Sequence, residues 1–347
     1  MKVSIGSIIK DGPWGGGNLF VKNLKTYLLS KNHKVVHDLG DDDIDLIFMT
    51  EPRKTSESSA FTAREVHDYL KFKKQDAMVV HRINECDERK GTKHVNQQIM
   101  DANKVSDYTI FVSNWLKDLY LSNGFVFGHN QVIMSGSNTE VFNTEGFKPW
   151  KKNEPVRIVT HHWGNNWNKG FSIYERLDQL IGKKTFPYDL EFTYIGKLPS
   201  KFSFKFSKYI NPLEGKDLAK EIKNNNLYLT ASINEPSGNH HIEGGLCGLP
   251  ILYLDSGGIT EYCADFGVSF SSENFEQKLK KIIDEYDIFY NKMKSYNRTS
   301  EIMCQEYEDV FEKLVLRKKN IIIKRKLDLS FSKKEKMIFN FKEKFKA

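Results

Sequence analysis

The residues best suited to chemistry lie in one stretch, Asn234-Glu235-Pro236-Ser237-Gly238-Asn239-His240-His241-Ile242-Glu243-Gly244-Gly245. An apolar run, Leu227–Ile233, precedes it, and a short helical one, His240–Cys247, begins inside it. That order puts Glu235 at a strand end and Glu243 in the first turn or two of a helix. Seven residues separate the two carboxylates. The first N–H groups of a helix have no intrahelical acceptor, so those around Gly238–His241 face the place where an anion would lie. A carboxylate there suits sugar hydroxyls, because charged acceptors make strong hydrogen bonds. The same pattern also fits a plain helix start whose acids complement the helix dipole.

The elements that must position this stretch alternate along the chain. Lys2–Ile9 reads as a strand, followed by the Gly-rich loop Gly12–Gly17 and a helical run with Leu19, Phe20, Leu24, Tyr27 and Leu28 on one face. Strands follow at His33–Val36, Ile44–Met49, Ala77–His81, Tyr108–Val112 and Gln131–Met134, with helices at Val95–Lys104 and Asn114–Ser122. The polar, Pro-containing Asn143–Pro155 reads as a linker. The rhythm then restarts. Strands are expected at Val156–Thr160, Leu190–Ile195, Leu227–Ile233 and Ile251–Leu254. Helices are expected at Phe171–Ile181, Lys216–Lys223, Ile259–Ala264, Asn274–Tyr290 and Ser300–Val315. Such βαβ order implies an α/β protein with parallel sheets covered on both faces. Two doubly wound, Rossmann-like domains, 1–145 and 155–300, are expected to face a central cleft, where ligands usually bind.

Charge divides unevenly. The 347 residues carry 52 Lys+Arg and 45 Asp+Glu, a net of +7. Residues 317–347 hold twelve Lys/Arg against Asp328, Glu335 and Glu343, a local +9, so the body carries −2. At 39% apolar and 13% aromatic residues, wholesale disorder is excluded. No apolar run approaches the roughly 18 residues of a spanning helix. The amino-terminal stretch lacks a signal-peptide cleavage pattern, and Cys86, Cys247, Cys263 and Cys304 form no CxxC pair. A reducing cytoplasm is the expected compartment.

With these residues in order, the chain resembles glycosyltransferase family 4, retaining enzymes of the GT-B fold. The resemblance rests on Glu235 and Glu243, with Gly248-Leu249-Pro250-Ile251-Leu252-Tyr253 and Ser256-Gly257-Gly258-Ile259-Thr260-Glu261 after them. Upstream it rests on Val159-Thr160-His161-His162-Trp163-Gly164-Asn165-Asn166-Trp167-Asn168-Lys169-Gly170-Phe171. In the first half it includes Gly15-Gly16-Gly17, His81, Val112-Ser113-Asn114-Trp115 and Gly136-Ser137-Asn138-Thr139-Glu140-Val141-Phe142. It spans roughly residues 1–310 in the right order. It implies that residues 301–316 form a helix returning to the first domain.

The resemblance also implies roles. Glu243 would hold the ribose hydroxyls of a UDP- or GDP-type donor, and Glu235 would lie near the transferred sugar. Lys169 would face the diphosphate, stabilising the charge that grows as the glycosidic bond breaks. Gly238, Asn239 and His240 would offer backbone N–H groups to the donor. His81 would touch the donor sugar from the opposite domain. Gly16 and Gly17 would let the first-domain loop come close to phosphates or acceptor. The implied reaction is front-face transfer to a glycan or lipid-linked acceptor, with no resident cofactor and no metal. One departure stands out. The family often has an Arg five positions before the Lys, where this chain has Gly164; His161 and His162 are the nearest substitutes.

Other features carry less. Asp41-Asp42-Asp43 reads as a solvated turn without a partner. His240-His241-x-Glu243 and His161-His162 lack the i, i+4 spacing of a helical zinc pair. Phe202, Phe204 and Phe206 read as a half-buried edge strand or loop rather than an acceptor platform. Residues 328–347 can form a basic amphipathic helix, suited to an anionic membrane surface at the inner face or to packing on the body. Nucleic acid is not an expected partner, since no motif supports it. Two other readings remain: a GT-B relative of different activity, such as a nucleotide-sugar epimerase or glycogen-type synthase, and a non-catalytic nucleotide-sugar or glycan-binding protein. The Glu235/Glu243/Lys169 set favours catalysis.

Overall fold

The computed structural model describes residues 1–12 and 15–344, so part of the Gly-rich loop and the last three tail residues, Phe345 among them, lie outside it. Twelve strands run β1 Lys2–Ile5, β2 Lys34–Val36, β3 Leu46–Met49, β4 Met78–Ile83, β5 Tyr108–Phe111, β6 Asn130–Val132, β7 Val156–His162, β8 Leu190–Gly196, β9 Lys208–Ile210, β10 Leu227–Thr230, β11 Ile251–Leu254 and β12 Gly267–Phe270. They form two six-stranded parallel sheets, ordered β2-β1-β3-β4-β5-β6 and β12-β11-β10-β7-β8-β9. The helices are α1 Gly16–Ser30, α2 Ala63–Phe72, α3 Asp87–Lys90, α4 Val95–Asn103, α5 Asn114–Ser122, α6 Phe171–Lys183, α7 Gly215–Lys223, α8 Asn239–Leu246, α9 Ile259–Cys263, α10 Phe275–Asp284, α11 Tyr286–Met293, α12 Ser300–Leu316, α13 Lys318–Ile322 and α14 Lys333–Lys344.

Each sheet has helices on both faces, as continuously apolar parallel strands require. In the first, Met78 and Val80 pack toward α1 and α12, while Val79 packs toward α2. Helix α12 returns from the end of the second domain and seats Met303, Tyr307, Phe311 and Leu314 in the first-domain core. Its path crosses the outgoing chain closely. Ser137 N–H donates to Arg298 O at 3.1 Å, and Ser300 N–H to Ser137 O at 2.7 Å. The Asn143–Pro155 segment is not a free linker: Trp150 lies in the second-domain core, its Nε1–H donating to Glu154 O.

Several elements differ from expectation. β1 ends at Ile5, short of Ile9. α2 was not expected; its sequence signal is a capping box, in which Glu65 Oε2 accepts from Thr62 N–H at 2.9 Å. β9 and β12, also unforeseen, are short strands at the two edges of the second sheet. The expected single helix over 274–290 is two, breaking at Glu285. Asp41 and Asp43 do have a partner: Lys2 Nζ lies 2.6 Å from each.

The tail is not one helix. Ser332 and Glu335 exchange capping bonds, which starts α14 at Lys333 and leaves 328–332 non-helical. Arg325 anchors the tail by a buried pair with Asp107, at 2.6–2.8 Å, and by donating to Gln75 O and Ala77 O. These contacts lie at the amino-terminal ends of β4 and β5. Among the described residues no helix is long and apolar enough to cross a membrane.

Candidate functional site

A cavity of about 380 Å³ opens between the carboxyl ends of the two sheets. Arg82, Asn84 and Arg89 line it from the first domain, with Gly15–Gly17 at the start of α1. The second domain contributes His161, His162, Lys169, Lys197, Glu235, Gly238, Asn239, His240 and Glu243. A larger hollow of about 1240 Å³ lies at the far end of the first sheet. Its only carboxylate among the described residues, Asp107, is locked by Arg325.

Lys169 ends a short 3-10 turn, Trp167–Lys169, just before α6. Gly170 makes this approach possible. Its φ is +99°, and a Cβ there would stand 2.5 Å from the Ala231 side chain. Lys169 Nζ pairs with Glu235 Oε2 at 2.5 Å. Glu235 follows Asn234, whose φ of +51° is uncommon for a side-chain-bearing residue, and its own Oε1 pairs with Arg89 Nε at 3.0 Å. Arg89 Nη1 donates to Glu85 Oε2 at 2.9 Å, and Lys90 Nζ reaches the same oxygen at 2.6 Å. The result is a chain of alternating charge across the cleft, Lys90–Glu85–Arg89–Glu235–Lys169. Burial opposes ionisation of Glu235, but Arg89 and Lys169 outweigh it and hold the carboxyl well below the usual range. Burial lowers the Lys169 pKa, with Glu235 opposing that shift.

Glu243 lies in the second turn of α8, buried, with Oε2 2.7 Å from His161 Nε2. The Tyr228 hydroxyl accepts the His161 backbone N–H at 3.2 Å and can donate to Nδ1 at 2.9 Å. That leaves Nε2–H to donate to Glu243, so the ring holds the carboxylate in place. Among the described residues, Glu243 Oε1 has no donor. Gly238, Asn239 and His240 start α8, and their N–H groups precede any intrahelical acceptor. Gly16 comes close from the other domain: a Cβ on it would meet the Asn239 side chain at 3.1 Å. Gly17 lines the same wall. His162 and His240 line the cavity with their Nε2 atoms engaged, by Tyr174 Oη and Thr230 Oγ1, each at 2.7 Å.

His81 is not in the cavity. It is buried on the opposite face of β4, where Nδ1 donates to Asn103 Oδ1 at 2.9 Å. Neighbours on a strand face opposite sides, so the residue presented to the cleft is Arg82. Its guanidinium stacks 4.0 Å from the Phe20 ring centroid and donates to Tyr307 Oη at 3.1 Å. Gly164 lines the cavity without a side chain. The residues missed from sequence are Arg82, Arg89, Lys197 and His161's hold on Glu243. Only the last has a sequence signal, since His161 is one of the two basic side chains nearest before Lys169 where Gly164 stands. Phe202 and Phe204 pack on the second-domain core, outside the cavity.

The buried histidines give a pH signature. Burial pushes His81 and His241 down to about 4, and holds His162 and His240 well below the ordinary 6.5. Once unfolded, each protonates near 6.5, so between there and about 4 the unfolded chain binds more protons. Stability is therefore fully present above this window and falls as pH drops through it, by about 1.4 kcal/mol per pH unit for each such histidine. Urea unfolding near pH 5 should show a clearly lower midpoint than near pH 7.5. Equal midpoints would mean that these rings are protonated in the folded protein.

No protein-family profile and no curated protein sequence matches the chain. Solved structures do. The chain superposes on Anabaena Alr3699/HepE, solved in complex with UDP-glucose, with a TM-score of 0.66 at 13% identity, covering 90% of this chain and 100% of that one. It superposes on the lipopolysaccharide outer core galactosyltransferase WaaB at 0.64 and 12%, covering 90% and 100%. For the sucrose-phosphate synthase of Thermosynechococcus elongatus the values are 0.61 and 13%, covering 91% and 99%. At these identities the likeness establishes the fold: this is a GT-B chain.

Proposed function

We propose that this protein is a glycosyltransferase that takes a sugar from a nucleotide-diphosphate donor held in the interdomain cavity. The observation that carries the reading is the joint placement of Lys169, Glu235, Glu243 and the α8 amino terminus in one cavity between two GT-B domains. Four cations, Arg82, Arg89, Lys169 and Lys197, line it against two carboxylates, a balance suited to a dianionic or trianionic diphosphate. Glu243 Oε1 faces the ribose hydroxyls in this reading. The solved complex of HepE with UDP-glucose makes uridine diphosphate sugars the first donors to try.

The proposed chemistry is transfer with retention. In this reading both cavity carboxylates are committed, Glu235 to two cations and Glu243 to His161 and the ribose, so neither serves as the nucleophile. The leaving phosphate oxygen then takes the acceptor proton on the face it departs from, and Lys169 stabilises its charge. The test is a thermal-shift screen of nucleoside diphosphates and their sugars, followed by transfer assays with the stabilising donor and NMR of the product's anomeric proton. A native-state ligand at 100 times its Kd raises stability by about 2.7 kcal/mol. No shift with any nucleotide sinks the donor assignment, and an inverted product sinks the front-face step.

The acceptor is proposed to be a glycan or lipid-linked glycan, with the tail docking on an anionic membrane. Phe339 of α14 stacks on Phe72, but Met337, Ile338 and Phe341 stay largely exposed beside Lys333, Lys334 and Lys342. Such a surface gains about 1 kcal/mol per basic residue at an anionic bilayer. The tail sits at the end of the first sheet away from the cleft, about 20 Å along a six-residue strand. An acceptor whose reacting hydroxyl lies out along a glycan suits this arrangement. The full chain is expected to sediment with phosphatidylserine-containing vesicles and not with phosphatidylcholine alone, and deletion from Lys333 onward to abolish it. No sedimentation of the full chain removes the membrane role.

A further inference from the structure

We infer that Arg89 is the second cation of the diphosphate grip, so that the grip is split between the two domains. The inference rests on the nucleotide-sugar reading above. A nucleoside diphosphate brings more negative charge than one buried lysine can balance, so a second cation must face it. Of the other cavity cations, Arg82 is committed to the Phe20 face and Tyr307, and Lys197 is exposed just past the end of β8. Arg89 shares a single anion with Lys169: the two Glu235 oxygens are each taken by one of them, at 3.0 and 2.5 Å. One oxyanionic group thus bridges a first-domain guanidinium and a second-domain ammonium. A phosphate presents the same feature, and the guanidinium fork suits it.

The position of Arg89 is built, not incidental. Asn168, the neighbour of Lys169, donates from Nδ2 to Arg89 O at 3.2 Å. Asn234, the neighbour of Glu235, donates from Nδ2 to Glu88 O at 3.4 Å. The loop that carries Arg89 is held in its own domain by Asp87, whose carboxylate accepts from the N–H groups of His94, Val95 and Asn96 at 3.0 Å. At Gly164, beside Lys169, no side chain competes for the space; a Cβ there would lie 3.5 Å from Lys169 Cε. Glu235 engages both cations at once. A diphosphate seated between the same two cations would share them with Glu235 and would join the two domains through the ligand.

The test is calorimetric titration of UDP, GDP and the matching monophosphates into the full-length protein and its R89Q and R89K variants. R89Q should lose diphosphate affinity by about 30-fold while monophosphate affinity changes less than about threefold, and R89K should fall between. The monophosphate titration reports an intact nucleotide site in the same sample. Equal loss for mono- and diphosphates in both variants would make Arg89 a structural latch and overturn the inference, as would unchanged diphosphate affinity. If the unmodified protein binds none of these nucleotides, the donor reading itself fails and this inference falls with it.

Discussion

Replacing Lys169 with methionine is expected to lower turnover by about 10³-fold, the loss seen when one preorganised donor to a developing oxyanion is removed. Methionine keeps much of the buried chain length, so the change is mainly electrical. The ammonium is placed before any ligand arrives, by the 3-10 turn, by Gly170 and by the 2.5 Å bond to Glu235. On the proposed function it needs no reorganisation as charge moves onto a leaving phosphate, so its loss is expected to raise the barrier more than it weakens ground-state binding. Donor KM should change far less than kcat, and the affinity for the diphosphate product should drop with the rate. Arg89 still pairs with Glu235 in the variant, so the carboxylate stays ionised and the cleft keeps one interdomain ion pair. Steady-state rates with the donor found by thermal shift provide the measurement. A variant within threefold of the unmodified rate would show that the diphosphate is neutralised elsewhere.

Glu243→Ala is expected to raise the Kd for nucleoside diphosphates about 100-fold, or about 2.7 kcal/mol, the scale of charge-assisted bonds to two hydroxyls lost together. It also strands His161 Nε2–H in a buried place, at a cost to folding of about 1–3 kcal/mol. The two effects separate by design. A 2′,3′-dideoxynucleoside diphosphate lacks the hydroxyls, so its affinity should be alike for the unmodified protein and the variant. Glu243→Gln keeps an acceptor for His161 and should recover most of the melting temperature while recovering only part of the ribonucleotide affinity. If E243A binds ribonucleoside diphosphates unchanged, Glu243 serves only His161 and the ribose contact is lost from the reading.

The site was partly legible because part of it is local. Glu235 and Glu243 stand on one loop and the helix it opens, so a strand end followed by Gly238 and a helical period places both without any distant contact. Lys169 reads the same way, as the last residue before a glycine and an amphipathic helix. Arg89 did not. It sits among Asp87, Glu88 and Lys90 in a four-residue helix, where one more charge looks like solvated surface. What makes it part of the site is Glu235, on the other domain, 146 positions away in the chain.

His81 and Arg82 show the same limit on a smaller scale. Both end a buried strand, and sequence order alone cannot say which faces the cleft. On β4 that is settled by what covers each face. Asn103 of α4 claims His81, while Phe20 of α1 and Tyr307 of the returning α12 frame Arg82. The tail follows suit. Its charge and amphipathic pattern were readable, but the Arg325–Asp107 pair that seats it at the end of the first sheet away from the cleft was not. Periodicity, turn residues and helix starts are short-range physics, and they determined two parallel α/β domains and the local parts of the cavity, Gly16 and Gly17, Lys169, and the stretch from Glu235 to Glu243. Arg82, Arg89, Lys197 and the His161–Glu243 bond depended on side chains meeting across the fold, and only tertiary packing decides which buried charge finds which partner.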